Sequence, residues 1–232
     1  MVKQHLKRLN TPKSWPVKKK GLTFITRPKP GSHSLEHGVS IDTLLKDMLH
    51  VASSTREVEY ILFNKELFVN GVRRKERRFL VGLFDTVTLP ASKKHYRILI
   101  NTKGKLQAIE IDEKEAKIKP SRVIGKTLIP GGKFQINMGD GRNFRLDKNA
   151  YATGDTLVFD VPEGKINQDI PLAKKNLVYL ISGKHTGRVG VVEEVKEGKI
   201  MISTADKELF ETKKEFAFPI GKDKPIITLI GE

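Results

Sequence analysis

Turn-forming residues interrupt the second half of the chain so often that only short structural elements fit between them. Residues 134–138 alternate apolar and polar side chains as a β-strand does, and Gly139-Asp140-Gly141 follows them as a turn. A further strand pattern, residues 156–161, ends at Pro162-Glu163-Gly164. Short strands separated by frequent glycine turns are typical of small barrels and sandwiches. We therefore predict a β-rich central domain over residues 92–172.

The segment before this region shows helical periodicity instead. Apolar side chains recur three and four positions apart over residues 41–52, behind Ser40 as an N-cap, which predicts an amphipathic helix. Ser54 and Glu57 have the spacing of a capping box and predict the start of a second helix. Helices this short are marginal on their own, so we expect both to pack on a sheet.

Strand signals and a basic loop follow the two helices. Residues 67–69 read as a strand turned by Asn70-Gly71, and residues 79–89 return as β-structure. Five cations occupy six positions between these strands: Arg73, Arg74, Lys75, Arg77 and Arg78. Arginine binds phosphate bidentately, so we favour contact with RNA for this loop over a solvated loop whose charge only aids solubility.

Positive charge is concentrated at the N-terminus. The chain carries 43 Lys and Arg against 27 Asp and Glu, a formal net charge of +16, and residues 1–35 hold nine of the basic residues and no acid. A basic, acid-free arm ahead of nearly balanced domains is the layout of a nucleic-acid-binding tail. An anionic membrane is disfavoured as its partner, because four prolines break the amphipathic helix that a lipid surface favours.

Aromatic side chains are interleaved with the cations of this arm. Trp15 either stacks on an unpaired base or sugar, or anchors the arm on a neighbouring domain, and the sequence leaves both open. The arm has few large apolar side chains with which to offset the entropy of ordering its backbone. We therefore expect residues 1–35 to be largely disordered in the free protein and to become ordered on RNA.

The C-terminal part contains a strand, a glycine-rich loop and a second strand. Residues 177–181 and 200–202 are apolar, and Lys184 and Arg188 would project from the loop between them. Three glycines would permit a tight loop and a close backbone approach to a partner; they are Gly183, Gly187 and Gly190.

Motifs of catalysis and metal binding are broken or missing in the sequence. The chain has no cysteine, which excludes disulfides, Cys-ligated metals and a Cys nucleophile. Gly125-Lys126-Thr127 imitates the end of a phosphate-binding loop, but Pro120 stands where its first glycine should be. His33 and His37 lack an obvious third ligand for zinc. We predict no enzyme, no cofactor, no metal site and no small-molecule substrate.

Neither a secretory signal nor a membrane span is recognisable. The first residues lack an apolar stretch, and no segment approaches the roughly 18 apolar residues that a spanning helix needs. We expect a non-exported protein with no membrane partner.

Two segments resemble known RNA-associated modules. Leu67-Phe68-Val69-Asn70-Gly71 and Val81-Gly82-Leu83-Phe84-Asp85, with the helices before them, resemble the alpha-L RNA-binding module of bacterial small-subunit ribosomal protein four, pseudouridine synthases and tyrosyl-tRNA synthetases. The loop over residues 182–192 resembles the KOW motif, which belongs to SH3-like barrels of ribosomal proteins and transcription elongation factors. The partner of such a loop is RNA or protein.

The whole chain resembles the archaeal and eukaryotic ("e" type) small-subunit ribosomal protein four family. The N-terminal residues His5-Leu6-Lys7-Arg8-Leu9 and Pro12-Lys13-Ser14-Trp15 carry the resemblance most specifically, with echoes at Thr102-Lys103-Gly104 and Pro219-Ile220-Gly221-Lys222. The longer basic tail of eukaryotic members is missing, which suggests an archaeal member. The resemblance implies a structural protein of the small ribosomal subunit in the cytoplasm, bound to small-subunit ribosomal RNA and neighbouring ribosomal proteins, that takes part in translation.

The predicted fold is α+β in four parts. They are a basic extended N-terminal arm (1–39), a small two-helix-plus-sheet alpha-L module (40–91), a β-rich central domain (92–172) and an SH3-like barrel with the KOW motif (173–232). The candidate RNA-binding residues are Lys3, His5, Lys7, Arg8, Lys13, Trp15, Lys18, Lys19, Lys20, Arg27, Lys29, Arg56, Arg73, Arg74, Lys75, Arg77, Arg78, Lys184 and Arg188.

Two other functions remain open at this point. An RNA-modifying enzyme could use the alpha-L module as its anchor, but it would need a large catalytic domain after Leu89, where the chain is divided into small β units. A KOW-type transcription elongation factor would bind RNA polymerase rather than ribosomal subunits.

Overall fold

The computed structural model describes residues 4–147, 149–204 and 208–229. Contacts divide the chain into two compact units. The first unit runs to Ile100 and includes Gly104–Lys117, and the second consists of Asn101–Lys103 and the chain from Ile118 onward.

The first unit combines short strands with short helices. In chain order its elements are β1 (Leu6–Lys7), β2 (Phe24–Ile25), β3 (Gly38–Ser40), α1 (Ile41–Thr43), α2 (Thr55–Tyr60), β4 (Phe68–Val69), β5 (Val72–Arg73), β6 (Leu80–Gly82), β7 (Thr86–Leu89), β8 (Lys94–Ile100), β9 (Leu106–Ile111) and α3 (Glu113–Ala116). Helix α1 continues as a π-helical segment, Leu44–Met48, and α2 as another, Ile61–Lys65. Short 3₁₀ turns follow β1 and β7, at Arg8–Asn10 and Pro90–Ser92.

Both predicted helices bury their apolar stripes, and both predicted N-caps are confirmed. Ser40 Oγ accepts a hydrogen bond from the Thr43 amide, and Ser54 Oγ accepts one from the Glu57 amide, each at 3.2 Å. The first helix ends at Met48, earlier than predicted, because His50 adopts a positive φ of 53° that a right-handed helix cannot include. The buried side chains of the two stripes include Ile41, Leu44, Leu45, Val58 and Leu62.

The main sheet of the first unit is antiparallel, with strand order β5-β4-β7-β8-β9. Its first hairpin, β4 to β5, is turned by Asn70-Gly71, where φ is 51° and 72°. Positive φ at both positions is the geometry that favours this dipeptide, so the predicted turn is confirmed. Strand β3 pairs with β6, and β1 pairs with β2, as separate two-stranded ladders.

The sequence-based boundary at residues 91/92 falls inside this sheet. Strand β7 pairs with β8, and β8 with β9, so residues 92–100 and 104–117 belong to the first unit. The buried Arg97 fastens α3 to this edge through a 2.5 Å ion pair with Glu115. Burial lowers the pKa of Arg97 to about 10, yet the guanidinium remains charged at neutral pH.

The described part of the N-terminal segment, residues 4–39, is packed as part of the first unit. This corrects the expectation of a disordered, extended arm. Trp15 is 1% exposed, and its indole Nε1 donates a hydrogen bond to the Leu35 carbonyl at 2.9 Å. The Leu106 amide donates to the Ser14 carbonyl at 2.7 Å, and Val17 is also buried. A few well-placed apolar side chains and satisfied backbone groups thus offset the ordering entropy that the composition alone suggested would prevail.

The second unit is built from strands. In chain order they are β10 (Ile118–Ile129), β11 (Lys133–Met138), β12 (Asn143–Leu146), β13 (Thr156–Asp160), β14 (Ile166–Ile170), β15 (Leu177–Leu180), β16 (Val189–Val195), β17 (Lys199–Thr204), β18 (Leu209–Lys213) and β19 (Ala217–Gly221). A 3₁₀ turn, Lys214–Phe216, joins the last two.

Two antiparallel sheets form this unit, with orders β12-β11-β10-β13-β14 and β18-β17-β16-β15-β19. Val123, Ile136 and Leu157 belong to the core of the first sheet, and Val178, Val192 and Ile200 to that of the second. Both the strand pattern before residue 172 and the strand–loop–strand pattern after it are therefore real. The described part of the chain contains no helix with the length and apolar character needed to cross a membrane.

Candidate nucleic-acid interface

A cleft in the first unit gathers cations from three separate stretches of sequence. We call it the N-terminal cleft; its volume is about 380 Å³. Its lining residues are Gln4, His5, Leu6, Arg8, Leu22, Phe24, Ile25, Thr26, Arg27, Lys46, Thr55, Arg77 and Arg78. Among the described residues no carboxylate lines this cleft, although Asp and Glu are common elsewhere in the unit.

Backbone hydrogen bonds hold the N-terminal segment beside the basic loop. The Lys29 amide donates to the Arg78 carbonyl at 2.8 Å, and the Arg78 Nε donates to the Arg27 carbonyl at 3.0 Å. The Asp42 amide donates to the Arg77 carbonyl at 3.0 Å, which brings the start of α1 to the same place. Residues far apart in the chain thus share one cationic surface.

Carboxylates that are not part of the cleft lining neutralise some of its charge. Arg8 pairs with Asp47 at 3.2 Å, Lys46 with Asp42 at 2.7 Å, and Arg77 with Glu59 at 3.1 Å. Arg27 and Arg78 also line the cleft, and neither has an ion pair with a described carboxylate. The cleft therefore keeps an excess of positive charge suited to an anion.

The basic loop itself is less free than its composition suggests. Arg73 pairs with Glu66 at 2.7 Å and donates to the Phe63 carbonyl, while the Arg74 guanidinium lies 4.3 Å from the centroid of the Phe79 ring. These contacts hold the β4–β5 hairpin against its surroundings. Arg73 and Arg74 thus have structural partners, whereas Lys75 is exposed and has no ion pair within the described chain.

The N-terminal cations divide into a buried and an exposed group. Arg8 is 9% exposed and Trp15 is fully buried, so the structure corrects the prediction of RNA contact for Trp15 and selects its anchoring role. Lys19 and Arg27 are half-buried, and the Lys19 ammonium donates to the Thr11 carbonyl at 2.6 Å. The exposed members are His5, Lys7, Lys13, Lys18, Lys20 and Lys29.

Other predicted residues lie away from the N-terminal cleft. Arg56 is exposed on α2, and Lys29 is exposed but bound to Glu76 at 2.5 Å. The hydrogen bond from Lys29 lowers the pKa of Glu76 and so favours its carboxylate form. Lys3 lies outside the described residues.

Sequence reasoning missed Lys46 as a member of the interface. Lys46 lies on the polar side of the first helical segment, four residues after Asp42, and this ordinary spacing gave no hint of a ligand site. Phe24 is an aromatic residue among the N-terminal cations, and its position on the cleft follows from the pairing of β1 with β2.

The loop between β15 and β16 presents cations in the second unit. Lys184 and Arg188 are both exposed, and Arg188 lies 3.8 Å from Glu208. The His185 ring stacks on Phe210 with 4.0 Å between centroids. A Cβ on Gly187 would lie 2.4 Å from the Asn101 carbonyl carbon, so this glycine serves a close approach within the chain, not the approach to a partner that its sequence suggested.

The histidines considered as metal ligands have protein partners instead. His33 Nε2 lies 3.1 Å from Asp85 Oδ2, and His37 Nδ1 lies 3.2 Å from Ser34 Oγ. Burial lowers the pKa of His37, an effect that the neighbouring His33 reinforces and Glu36 opposes. The described residues contain no group of three or more His, Asp or Glu side chains placed to hold a metal ion.

Comparisons with known proteins show which family the sequence is similar to. The sequence model of ribosomal family S4e matches residues 92–166, and the RS4NT (NUC023) domain matches residues 2–36. Small ribosomal subunit protein eS4 of Methanosphaera stadtmanae is 37% identical over 99% of this chain and 97% of its own length. The eS4 protein of Nanoarchaeum equitans is 43% identical over 84% of this chain and 83% of its own length.

A solved structure supports the same relationship. The crystal structure of 30S ribosomal protein S4e from Thermoplasma acidophilum superimposes with a TM-score of 0.69 and 29% sequence identity, covering 80% of this chain and 96% of that one. Identity above 30% over nearly the whole length, joined with this likeness of fold, confirms the resemblance carried by the N-terminal residues. The chain belongs to ribosomal family S4e, in its archaeal form.

Proposed function

We propose that this chain is a structural protein of the small ribosomal subunit that binds small-subunit ribosomal RNA through the cationic face of its first unit. The observation that carries the RNA contact is the N-terminal cleft, where cations from the N-terminal segment, the π-helical segment after α1 and the basic loop meet without a lining carboxylate among the described residues. Its relatives are named small ribosomal subunit proteins, which supports a role in the cytoplasmic ribosome and in translation.

Membership of this family favours a structural component over an enzyme. The RNA-modifying enzyme and the KOW-type elongation factor are accordingly not favoured, although both would use a basic RNA-binding surface. The remaining exposed cations of the N-terminal segment, with Lys75 of the basic loop, supply non-specific attraction to phosphates around the cleft.

The second unit would provide an additional contact. We propose that its C-terminal sheet is the SH3-like barrel of a KOW module, and that Lys184 and Arg188 contact RNA or a neighbouring ribosomal protein. The exposure of both side chains on one loop supports this assignment. The alpha-L assignment for residues 40–91 is supported by the two capped helices and the Asn70-Gly71 hairpin.

Sucrose-gradient fractionation of a lysate from cells that produce the chain tests this function. We expect the chain to sediment with small ribosomal subunits and to remain with them after purification of the subunits at moderate salt. Sedimentation with RNA polymerase and depletion from the subunit fractions would instead support the elongation factor. Recovery only at the top of the gradient would contradict a stable ribosomal role.

A further inference from the structure

The N-terminal cleft has chemical features beyond the positive charge that attraction to RNA phosphates requires. General attraction to RNA needs only exposed cations, and the chain has many of these at other positions. The cleft adds a concave shape, a buried guanidinium and an exposed aromatic ring. Each of these three features favours a different part of one nucleotide.

One nitrogen of the buried Arg8 guanidinium, the Nε, has no hydrogen-bond partner among the described residues. The Arg8 Nη1 donates to the Lys18 carbonyl at 3.1 Å and its Nη2 lies 3.2 Å from Asp47 Oδ1. Arg8 is 9% exposed and lines the cleft. A buried donor without a partner is unfavourable, and a phosphate oxygen in the cleft would satisfy it.

Two further arginines give the anion its counter-charge. Arg27 and Arg78 line the same cleft and have no ion pair with a described carboxylate, although Glu76 accepts a hydrogen bond from the Arg78 amide at 3.3 Å and interacts electrostatically with Arg78. The single negative charge of one RNA phosphate would neutralise one of these two groups. Hydrogen bonds between guanidinium and phosphate are strong because both partners are ionised.

The apolar part of the lining is an aromatic ring left open to solvent. Phe24 is 55% exposed, and its ring lies 5.9 Å from the His5 ring at an interplanar angle of 57°. Leu22, beside it on the lining, is also strongly exposed. Exposed aromatic faces among cations are the platforms on which proteins stack unpaired bases.

We propose that the N-terminal cleft binds one unpaired nucleotide of RNA, with its phosphate on Arg8, Arg27 and Arg78 and its base on Phe24. The volume of about 380 Å³ lies within the range of roughly 300–1,000 Å³ that is typical of small-ligand sites. A nucleotide inside an RNA duplex has both faces of its base covered by stacking and cannot lay it on Phe24. The inference rests on the proposed function, because it specifies what the RNA presents to the same surface.

Two RNA hairpins of the same stem sequence, both closed by a non-nucleotide linker so that the loop holds no unpaired base, test the inference, one with a single bulged 2-aminopurine and one fully paired. We expect the complete chain to bind the bulged hairpin more tightly and to quench the 2-aminopurine fluorescence. Phe24→Ala should weaken binding of the bulged hairpin by about 5- to 150-fold, the loss associated with one stacked base. It should abolish the quenching and leave affinity for the paired hairpin unchanged.

Matched variants separate stacking from general damage. Phe63→Ala removes an aromatic ring that is 58% exposed and lies outside the cleft lining, and it should leave both affinities unchanged. Phe24→Tyr preserves the aromatic face and should restore binding and quenching. Arg27→Gln should weaken binding of the bulged hairpin more than that of the paired one.

The outcomes distinguish this inference from the proposed function. Unchanged binding by Phe24→Ala, or equal losses in Phe24→Ala and Phe63→Ala, would overturn the nucleotide site. Strong salt-sensitive binding of the paired hairpin and sedimentation with small subunits would still uphold the ribosomal role in that case. Failure of the chain to bind either hairpin, together with its absence from small subunits, would overturn both.

Discussion

At the scale of single residues, Gly82 leaves no room for a side chain because His33 covers it. A Cβ at position 82 would lie 2.1 Å from the His33 Cγ. The His33 ring is held there by Asp85, whose carboxylate also accepts hydrogen bonds from the Gly82 amide and the Asn70 side-chain amide, both at 2.8 Å. Asp85 therefore joins the N-terminal segment to the turn before β7 and to the hairpin turn.

We predict that Gly82→Ala displaces His33 and lowers the free energy of unfolding by about 1–3 kcal/mol, the usual cost of overpacking. Thermal denaturation and limited proteolysis of the N-terminal segment would measure it. Gly125→Ala is the matched control, because its Cβ would meet nothing nearer than the Asn137 side-chain nitrogen at 3.8 Å. Equal stability of the two variants would show that His33 yields its position at no cost.

The sequence shows the charge and aromatic character of each residue, but not which groups each side chain contacts in the fold. The composition around Trp15 allowed either base stacking or anchoring, and only the hydrogen bond to the Leu35 carbonyl and the surrounding burial decide for anchoring. Arg8 appeared to be one of many solvated cations. Its partner Asp47 is 39 residues away, and no local pattern reveals an ion pair over such a separation.

At the scale of elements, features set by neighbouring residues were predicted well. Each helix cap joins a serine side chain to the backbone amide three residues later, and the Asn70-Gly71 turn depends on two adjacent positions. Strand partners depend on the distant chain, which explains why β8 and β9 were assigned to the central domain although they complete the sheet of the first unit. The π-helical endings of both helices likewise have no signal in the apolar spacing.

The cap of α2 offers a clean test of element stability. Ser54 Oγ accepts from the Glu57 amide, while the Glu57 carboxylate accepts from the Ser53 amide at 2.7 Å. We predict that Ser54→Ala lowers the free energy of unfolding by about 1 kcal/mol, the typical cost of losing an N-cap serine. Urea denaturation followed by circular dichroism measures the change. Ser53→Ala keeps the backbone amide and should be nearly neutral, so comparable losses in the two variants would contradict the capping role of Ser54.

At the scale of the whole molecule, the location of charge matters more than its sum. The net charge of +16 predicted a polyanionic partner, and nine cations in the first 35 residues indicated where it binds. Folding then divides these nine groups: Arg8 and Lys29 form internal ion pairs, and several stay exposed. Only Arg8 and Arg27 line the cleft, where they meet three cations from later in the chain. The sequence therefore predicts a polyanionic partner and a basic N-terminal region, whereas the cleft exists only after the N-terminal segment has packed beside the basic loop.

The salt dependence of RNA binding should report how many cations remain available. Each phosphate neutralised by the protein releases bound counterions, so the logarithm of the affinity falls linearly with the logarithm of salt concentration. For about 6–10 phosphate contacts, the affinity should fall by roughly 10³–10⁵ between 50 and 200 mM salt. Filter binding or fluorescence anisotropy with small-subunit ribosomal RNA, over a series of salt concentrations, gives the slope.

Single-charge variants then assign that slope to the N-terminal segment. Lys7→Ala and Lys20→Ala remove exposed cations from a smaller pocket that shares Leu22 with the N-terminal cleft. Each should lower the salt slope by about one unit while leaving the fold intact. Lys117→Ala is the control, because it removes a positive charge that is exposed, paired with Glu113 and distant in sequence from the N-terminal segment. The salt slope of this variant should equal that of the unchanged chain. Phe24→Ala, which alters stacking without altering charge, should also preserve the slope. A flat salt response would contradict electrostatic binding altogether. Equal effects of all three lysine substitutions would show that net charge, and not the geometry of this surface, governs binding.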